Sequence, residues 1–79
     1  MKFNVENGWR GSLDGIARSA ALAPRGDLAV ILIPRADLIG KQPRDGQTIT
    51  ANGNRYVVEA VALEDTNLKL SCRIVRDDR

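Results

Sequence analysis

The strongest pattern in the chain is an alternation of apolar and polar residues in its second half, which predicts an antiparallel β-sheet. Three strands are predicted in succession there, over 47–51, 55–63 and 68–75. The first two are joined by Asn52-Gly53, a pair that favours a two-residue type I′ turn because both central residues need positive φ. This turn sets Ile49 opposite Tyr56.

The register of the second hairpin is predicted from the face that it makes apolar. A four-residue loop over 64–67 puts Glu59 on the apolar face, whereas a three-residue loop over 65–67 places it opposite Arg73 on the other face. We therefore predict the three-residue loop, with Asn67 in the left-handed conformation that asparagine tolerates. The predicted core, with Cys72 as a small apolar member, consists of Ile31, Ile49, Tyr56, Val58, Ala60, Leu70, Cys72 and Ile74.

The first half of the chain contains one apolar strand and one candidate helix. The run Leu28–Ile33 is apolar on both faces, which predicts a strand covered from two sides. Between Ser12 and Leu22 apolar residues recur at helical spacing, which predicts a short helix that ends before Pro24. Residues 1–11 are interpreted either as a short strand or as a flexible arm.

Together these elements predict a single domain over residues 1–79 that is mainly β, in the α+β class. The expected architecture is a small antiparallel β-barrel or sandwich built on a β-meander, with one short N-terminal helix. Residues 34–46 form a long connection between the predicted strands over 28–33 and 47–51. Connections of this length within a small domain are usually functional or disordered, so we expect a functional loop.

Composition narrows the possible chemistry. The chain has 79 residues, no histidine and one cysteine, which excludes an internal disulfide, the usual zinc ligand sets and any histidine-assisted nucleophile. We therefore expect no enzyme activity, no metal and no cofactor. Domains of this size bury only about 60% of their unfolded surface, so self-association is an expected source of additional stability.

Charge and hydropathy add expectations about partners. The 12 basic and 10 acidic residues are interleaved, as on a solvated surface rather than a nucleic-acid footprint. The longest apolar run, 28–33, is shorter than a membrane-spanning helix, and the N-terminus lacks the apolar stretch of a secretory signal. A lone cysteine fits a reducing compartment such as the cytoplasm. We expect no membrane partner and no nucleic acid.

One stretch of the sequence resembles a known family. The run Pro43-Arg44-Asp45-Gly46-Gln47-Thr48-Ile49, followed by Gly53, Tyr56-Val57-Val58 and a closing apolar strand, resembles the small head–tail joining and attachment proteins of tailed phages and prophages. The resemblance covers about 30–75 of this chain. In that family a similar run forms a β-hairpin of a small barrel or sandwich.

The resemblance implies a virion structural protein that is present in the bacterial host cytoplasm before assembly. Copies would form an oligomeric ring at the head–tail junction or the tail end. Their partners would be other phage morphogenesis proteins, on the connector or portal side and on the tail side. The connection between Arg35 and Arg44 would order against a neighbouring subunit.

The long connection also has the composition of an interface. Leu38 and Ile39 are flanked by charged residues, which resembles an apolar anchor inside a polar rim. In the alternative, both side chains tuck under the sheet as a loop plug. Trp9 either covers the core edge or anchors a partner. The candidate assembly interface consists of Trp9, Arg35, Asp37, Leu38, Ile39, Lys41 and Arg44.

Two other functions are compatible with a small β-barrel. A nucleic-acid-binding module would need stacking aromatics, but the chain offers only Phe3, Trp9 and Tyr56, and Tyr56 is predicted in the core. A generic protein-interaction adaptor would instead add an exposed strand to a partner.

Overall fold

The computed structural model describes residues 9–11, 13, 15–51 and 53–76. Its strands are β1 (Trp9–Gly11), β2 (Ala20–Arg25), β3 (Leu28–Pro34), β4 (Thr48–Ala51), β5 (Asn54–Leu63) and β6 (Asn67–Ile74). A single 3-10 turn, Arg35–Asp37, follows β3.

The strands form one antiparallel sheet in the order β1-β2-β3-β6-β5-β4. Two meanders, β1 to β3 and β4 to β6, are joined by the pairing of β3 with β6. The five longer strands curl into a half-barrel, so that Leu22 of β2 and Ile49 of β4 belong to the same core. The prediction of a mainly β, barrel-like antiparallel fold is confirmed.

The predicted strands lie within one residue of their observed bounds. In the first hairpin Ile49 pairs with Tyr56, as predicted, and Ala51 pairs with Asn54. Gly53 has a φ of 79°, the positive value that this turn requires. Part of the segment 1–11 is the short strand β1, and residues 1–8 lie outside the described part of the chain.

The predicted N-terminal helix over Ser12–Leu22 is wrong. Ala20–Leu22 belong to β2 and pair with β1 and β3. Among the described residues before them there is one turn, in which the N–H groups of Ile16 and Ala17 donate to the carbonyl of Leu13. Gly15 has a φ of 71°, which interrupts right-handed helical backbone. The helical spacing arose because residues of a turn and a strand face the same core.

The predicted three-residue loop of the second hairpin is also wrong. Leu63 pairs with Leu68, and the N–H of Glu64 donates to the carbonyl of Asn67, which is the first residue of β6. A β-bulge between Val58 and Ala60 then shifts the pairing by one residue. The regular pairing assumed from the sequence has no place for this extra residue.

The bulge explains why part of the predicted core is nevertheless correct. On its N-terminal side Val58 pairs with Cys72, and Val57 rather than Glu59 lies opposite Arg73, so the predicted pairs are wrong by two residues but the faces are those predicted. The predicted ion pair does form, with 2.8 Å between Arg73 Nε and Glu59 Oε2. On the C-terminal side of the bulge, Val61 rather than Ala60 faces the core. Ala60 is therefore exposed, and its predicted burial is wrong. Of the remaining predicted core residues, Ile74 is half-buried and the others are buried: Ile31, Ile49, Tyr56, Val58, Leu70 and Cys72.

The length of the connection between β3 and β4 follows from the strand order. Since β6 and β5 lie between these strands, the chain must cross three strand spacings, about 14 Å. Its first part packs against residues 15–19 rather than looping freely. The N–H groups of Ile39 and Gly40 donate to the carbonyl of Ile16 at 2.9 and 3.0 Å, and Ala17 forms a β-bridge with Leu38.

This contact predicts that Gly40 cannot be replaced without cost. A Cβ at Gly40 would lie 2.0 Å from the carbonyl oxygen of Gly15, so the two backbone segments would have to separate. We expect Gly40→Ala to lower the free energy of unfolding by about 1–3 kcal/mol, as overpacking does elsewhere. Chemical denaturation measures the change, with Lys41→Ala, an exposed neighbour, as control. Equal stability of the two variants would contradict the close approach.

Candidate assembly interface

The structure separates the two apolar residues of the connection. Leu38 is half-buried and packs against the core, whereas Ile39 is 56% exposed. Their backbone is held between the bridge from Leu38 to Ala17 and the hydrogen bond from Ile39 to Ile16. Leu38 is therefore a plug of the domain's own core, and Ile39 alone keeps the position of an exposed apolar anchor.

Two of the charged residues in this segment make contacts within the fold. The guanidinium Nη1 of Arg35 lies 3.4 and 3.3 Å from the carbonyl oxygens of Glu64 and Asp65, so Arg35 ties the connection to the turn before β6. Asp37 is half-buried, and its carboxylate accepts a hydrogen bond from the hydroxyl of Ser19. Asp37 thus helps to fix the backbone that presents Ile39.

The second part of the connection is also tied to the sheet. Pro43 is fully buried, and the N–H of Arg44 donates to Gln47 Oε1 at 3.0 Å. The N–H of Gly46 donates to the carbonyl of Val58 at 2.7 Å, which extends the β4–β5 ladder. The connection is therefore packed on its own domain, through half-buried Leu38 near one end and buried Pro43 near the other.

The predicted interface residues divide into three kinds. The first kind is exposed and consists of Arg35, Ile39, Lys41 and Arg44. The second kind, Leu38 and Asp37, is half-buried and holds the segment against the domain. The backbone of Trp9 pairs with Leu22 at the β1 edge, and the role of Trp9 in an interface stays a prediction. Sequence reasoning missed the supporting segment 15–19, although Gly15 and Gly40 were signals of a close backbone contact.

Cys72 is the one cysteine of the chain, and its environment makes it unreactive. It is buried between Ala29 of β3 and Val58 of β5, which are its pairing neighbours. Burial, with a smaller contribution from the carboxylate of Glu59, raises the pKa of the Cys72 thiol to about 11. At neutral pH the nucleophilic thiolate is therefore scarce.

Two other kinds of site are absent from the described part of the chain. Within it, no group of three or more His, Cys, Asp or Glu side chains is placed to hold a metal ion. None of the helical segments among the described residues has the length and apolar character needed to cross a membrane. The sequence matched no protein-family model, and comparison with curated proteins and with solved structures gave no match.

The burial of Cys72 predicts slow modification by thiol reagents. We expect native protein at pH 7 to react far more slowly than protein in denaturant, because reaction needs both access and thiolate. Raising the pH to 9 should accelerate labelling of the unfolded chain much more than labelling of the native protein, since the folded pKa is about 11. Absorbance-based thiol titration follows both reactions. Rapid stoichiometric labelling of the native protein would show that Cys72 is accessible.

Proposed function

We propose that this protein is a small structural assembly module that acts through contacts between folded subunits. The observation that supports the proposal is Ile39, an apolar side chain that is 56% exposed on a segment fixed by backbone hydrogen bonds. A residue whose backbone is already ordered before binding loses less conformational entropy when a partner covers it. Such a residue suits the centre of an interface.

The charges around Ile39 suggest the chemistry of the partner. Four exposed basic residues lie in or beside the connection, Arg18, Arg35, Lys41 and Arg44, against exposed Asp45 and half-buried Asp37, whose carboxylate accepts a hydrogen bond from Ser19. The rim is therefore mainly basic. A complementary surface would offer an apolar pocket with acidic residues around it, because opposite charges at the rim steer association and fix orientation.

The sequence resemblance supplies the biological setting of this proposal. We place the module among the head–tail joining or attachment proteins of a tailed phage or prophage, as a virion component. In that setting the basic rim around Ile39 would contact a neighbouring copy in a ring, or a morphogenesis protein on the connector or tail side. The half-buried residues Leu38 and Asp37, which support Ile39, explain how a domain with a thin core could present one rigid contact.

A nucleic-acid-binding role has less support from the structure. Tyr56 is buried in the core and cannot act as a stacking platform. Two arginines of the sheet and C-terminal region are in ion pairs, Arg73 with Glu59 at 2.8 Å and Arg76 with Asp27 at 2.6 Å. These contacts reduce the positive potential that a phosphate backbone would meet.

The different positions of Leu38 and Ile39 give a test by paired substitutions. We expect Ile39→Ser to leave the melting temperature almost unchanged and to weaken partner binding, since only an exposed anchor is lost. Leu38→Ser should instead lower the free energy of unfolding by about 2 kcal/mol, because a side chain that packs on the core is removed. Thermal unfolding and pull-down with the products of neighbouring genes measure the two effects.

The matched control is Leu28→Ser, which removes another exposed aliphatic residue, 45% accessible, from the opposite end of β3. Like Ile39→Ser, it should leave the melting temperature almost unchanged, but it should not weaken partner binding. If Ile39→Ser binds every partner as well as the unmodified protein does, Ile39 is not the anchor. If the unmodified protein is stable and binds no phage morphogenesis protein, the proposed phage role is refuted.

A further inference from the structure

The sheet has an open edge along the second half of β5. β5 has 10 residues and β4 has 4, so β4 pairs only with residues 54–57 of β5. Hydrogen bonds of Gly46 and Gln47 with Val58 extend this pairing by one residue. Past that point, within the described part of the chain, residues 59–63 have β6 on one side and no strand on the other.

The direction of the unpaired backbone groups follows from the pairing with β6. The N–H of Glu64 donates to the carbonyl of Asn67, which identifies Glu64–Asn67 as a hydrogen-bonded pair. Hydrogen-bonded and non-hydrogen-bonded pairs alternate in an antiparallel ladder, so the Val61–Leu70 and Leu63–Leu68 pairs are of the second kind. The N–H and C=O groups of Val61 and Leu63 therefore point outward, toward the open edge.

The open edge of β5 has little of the protection that proteins usually give such edges: a β-bulge lies at its start, between Val58 and Ala60, and the residues after the bulge carry no other protecting feature. The uncovered end of β2, at the other side of the sheet, carries Pro24, which has no N–H to offer. The β5 segment 60–63 reads Ala-Val-Ala-Leu, without proline or charge. Leu63 at its end is 57% exposed. An edge of this kind is a template for another strand.

We propose that the open edge of β5 pairs with the same edge of a second copy, antiparallel about a two-fold axis at Ala62. This register sets Val61 of each copy opposite Leu63 of the other and uses only residues whose backbone groups are open. A register centred on Val61 would instead place Leu63 opposite Glu59, where the bulge disturbs the backbone. Pairing about Ala62 also leaves Val58 free to keep its hydrogen bonds with Gly46 and Gln47, the residues that precede β4.

The side chains are complementary in this register. Val61 and Leu63 both lie on the inner face of β5, where Val61 packs against the core and Leu63 is exposed. Placing Val61 of one copy opposite Leu63 of the other covers Leu63 and brings the cores of both copies into contact. On the outer face, Ala62 meets its own counterpart, and Ala60 meets Glu64 of the second copy. Lys69 lies beside Ala62 on that face, which gives the incoming carboxylate a positive neighbour.

The contact shares no residue with the Ile39 surface, although Arg35 of that surface donates to the carbonyl of Glu64, and it does not depend on the phage setting. It joins only short strand segments and stays below the roughly 1,200 Å² of standard interfaces, so the dimer is expected to be weak and concentration-dependent. Ile39→Ser should leave this dimer unchanged. Failure of the assembly proposal and failure of the edge-pairing proposal are therefore distinguishable.

Two lysine substitutions test both the pairing and its register. Ala60 and Ala62 are exposed on the same face of β5, so neither change disturbs the core. In Ala62→Lys the new charges face each other across the axis, and we expect about a tenfold rise in the dimer Kd. In Ala60→Lys the new charge faces Glu64 of the second copy, and the Kd should fall or stay level. Sedimentation velocity over a concentration series measures both constants.

Amide hydrogen exchange gives an independent measurement. Protection of the Val61 and Leu63 amides should rise with protein concentration in the unmodified chain and much less in Ala62→Lys. The proposal is overturned if the two lysine variants change the dimer Kd equally. It is also overturned if the unmodified chain is monomeric up to about 1 mM, a concentration at which even millimolar affinity would be detected. It is also overturned if protection is independent of concentration and disappears when residues 1–8 are removed, since the N-terminal segment would then occupy the edge.

Discussion

The pairing of β3 with β6 is the interaction on which the rest of the fold depends. It runs from Leu28↔Arg73 to Pro34↔Asn67 in the middle of the sheet and joins two meanders that are each local in sequence. Its inward residues Ile31, Ile33, Leu68 and Leu70 are all fully buried. Neither three-stranded meander could bury these side chains alone, so the core exists only when the two halves meet.

The same pairing determines where the surfaces for interaction arise. Because β6 and β5 lie between β3 and β4, the chain must cross one end of the sheet, and the crossing segment presents Ile39. It also leaves β4 at the edge, where its four residues cover less than half of β5. Both the exposed anchor and the open strand edge are thus consequences of one strand order.

Sequence patterns predicted the local part of this arrangement well. Three strands and the Asn52-Gly53 hairpin follow from alternation and turn chemistry, and the strand over 28–33 follows from its continuous apolar run; all of these signals involve only neighbouring residues. The strand order could not be predicted, because the contact between β3 and β6 spans the whole middle of the chain. The helix prediction failed for a related reason: spacing between 13 and 21 shows which residues face the core, but not whether a helix or a turn and strand place them there.

The bulge at Glu59 shows how two conflicting patterns can both be correct. Near Leu63 the structure has the four-residue register, whereas near Val58 it has the faces that the charge of Glu59 predicted, with pairs that differ by two residues from the predicted ones. Assuming one register for the whole hairpin forced a choice, and it placed Ala60 in the core instead of Val61. A bulge accommodates both, because one extra residue exchanges the faces within a strand. The interface residues could be proposed from composition, but the separate positions of Leu38 and Ile39 needed the tertiary contacts of residues 15–19.

The two proposed contacts differ in symmetry, and this difference limits what each can build. Pairing of β5 with itself is isologous, so it closes at two copies. A ring requires a heterologous contact, in which a surface such as that around Ile39 meets a different surface on the next subunit. A ring-forming role therefore has to rest on the Ile39 side of the molecule. Edge pairing could at most join two such assemblies, or protect the open strand of β5 before assembly begins.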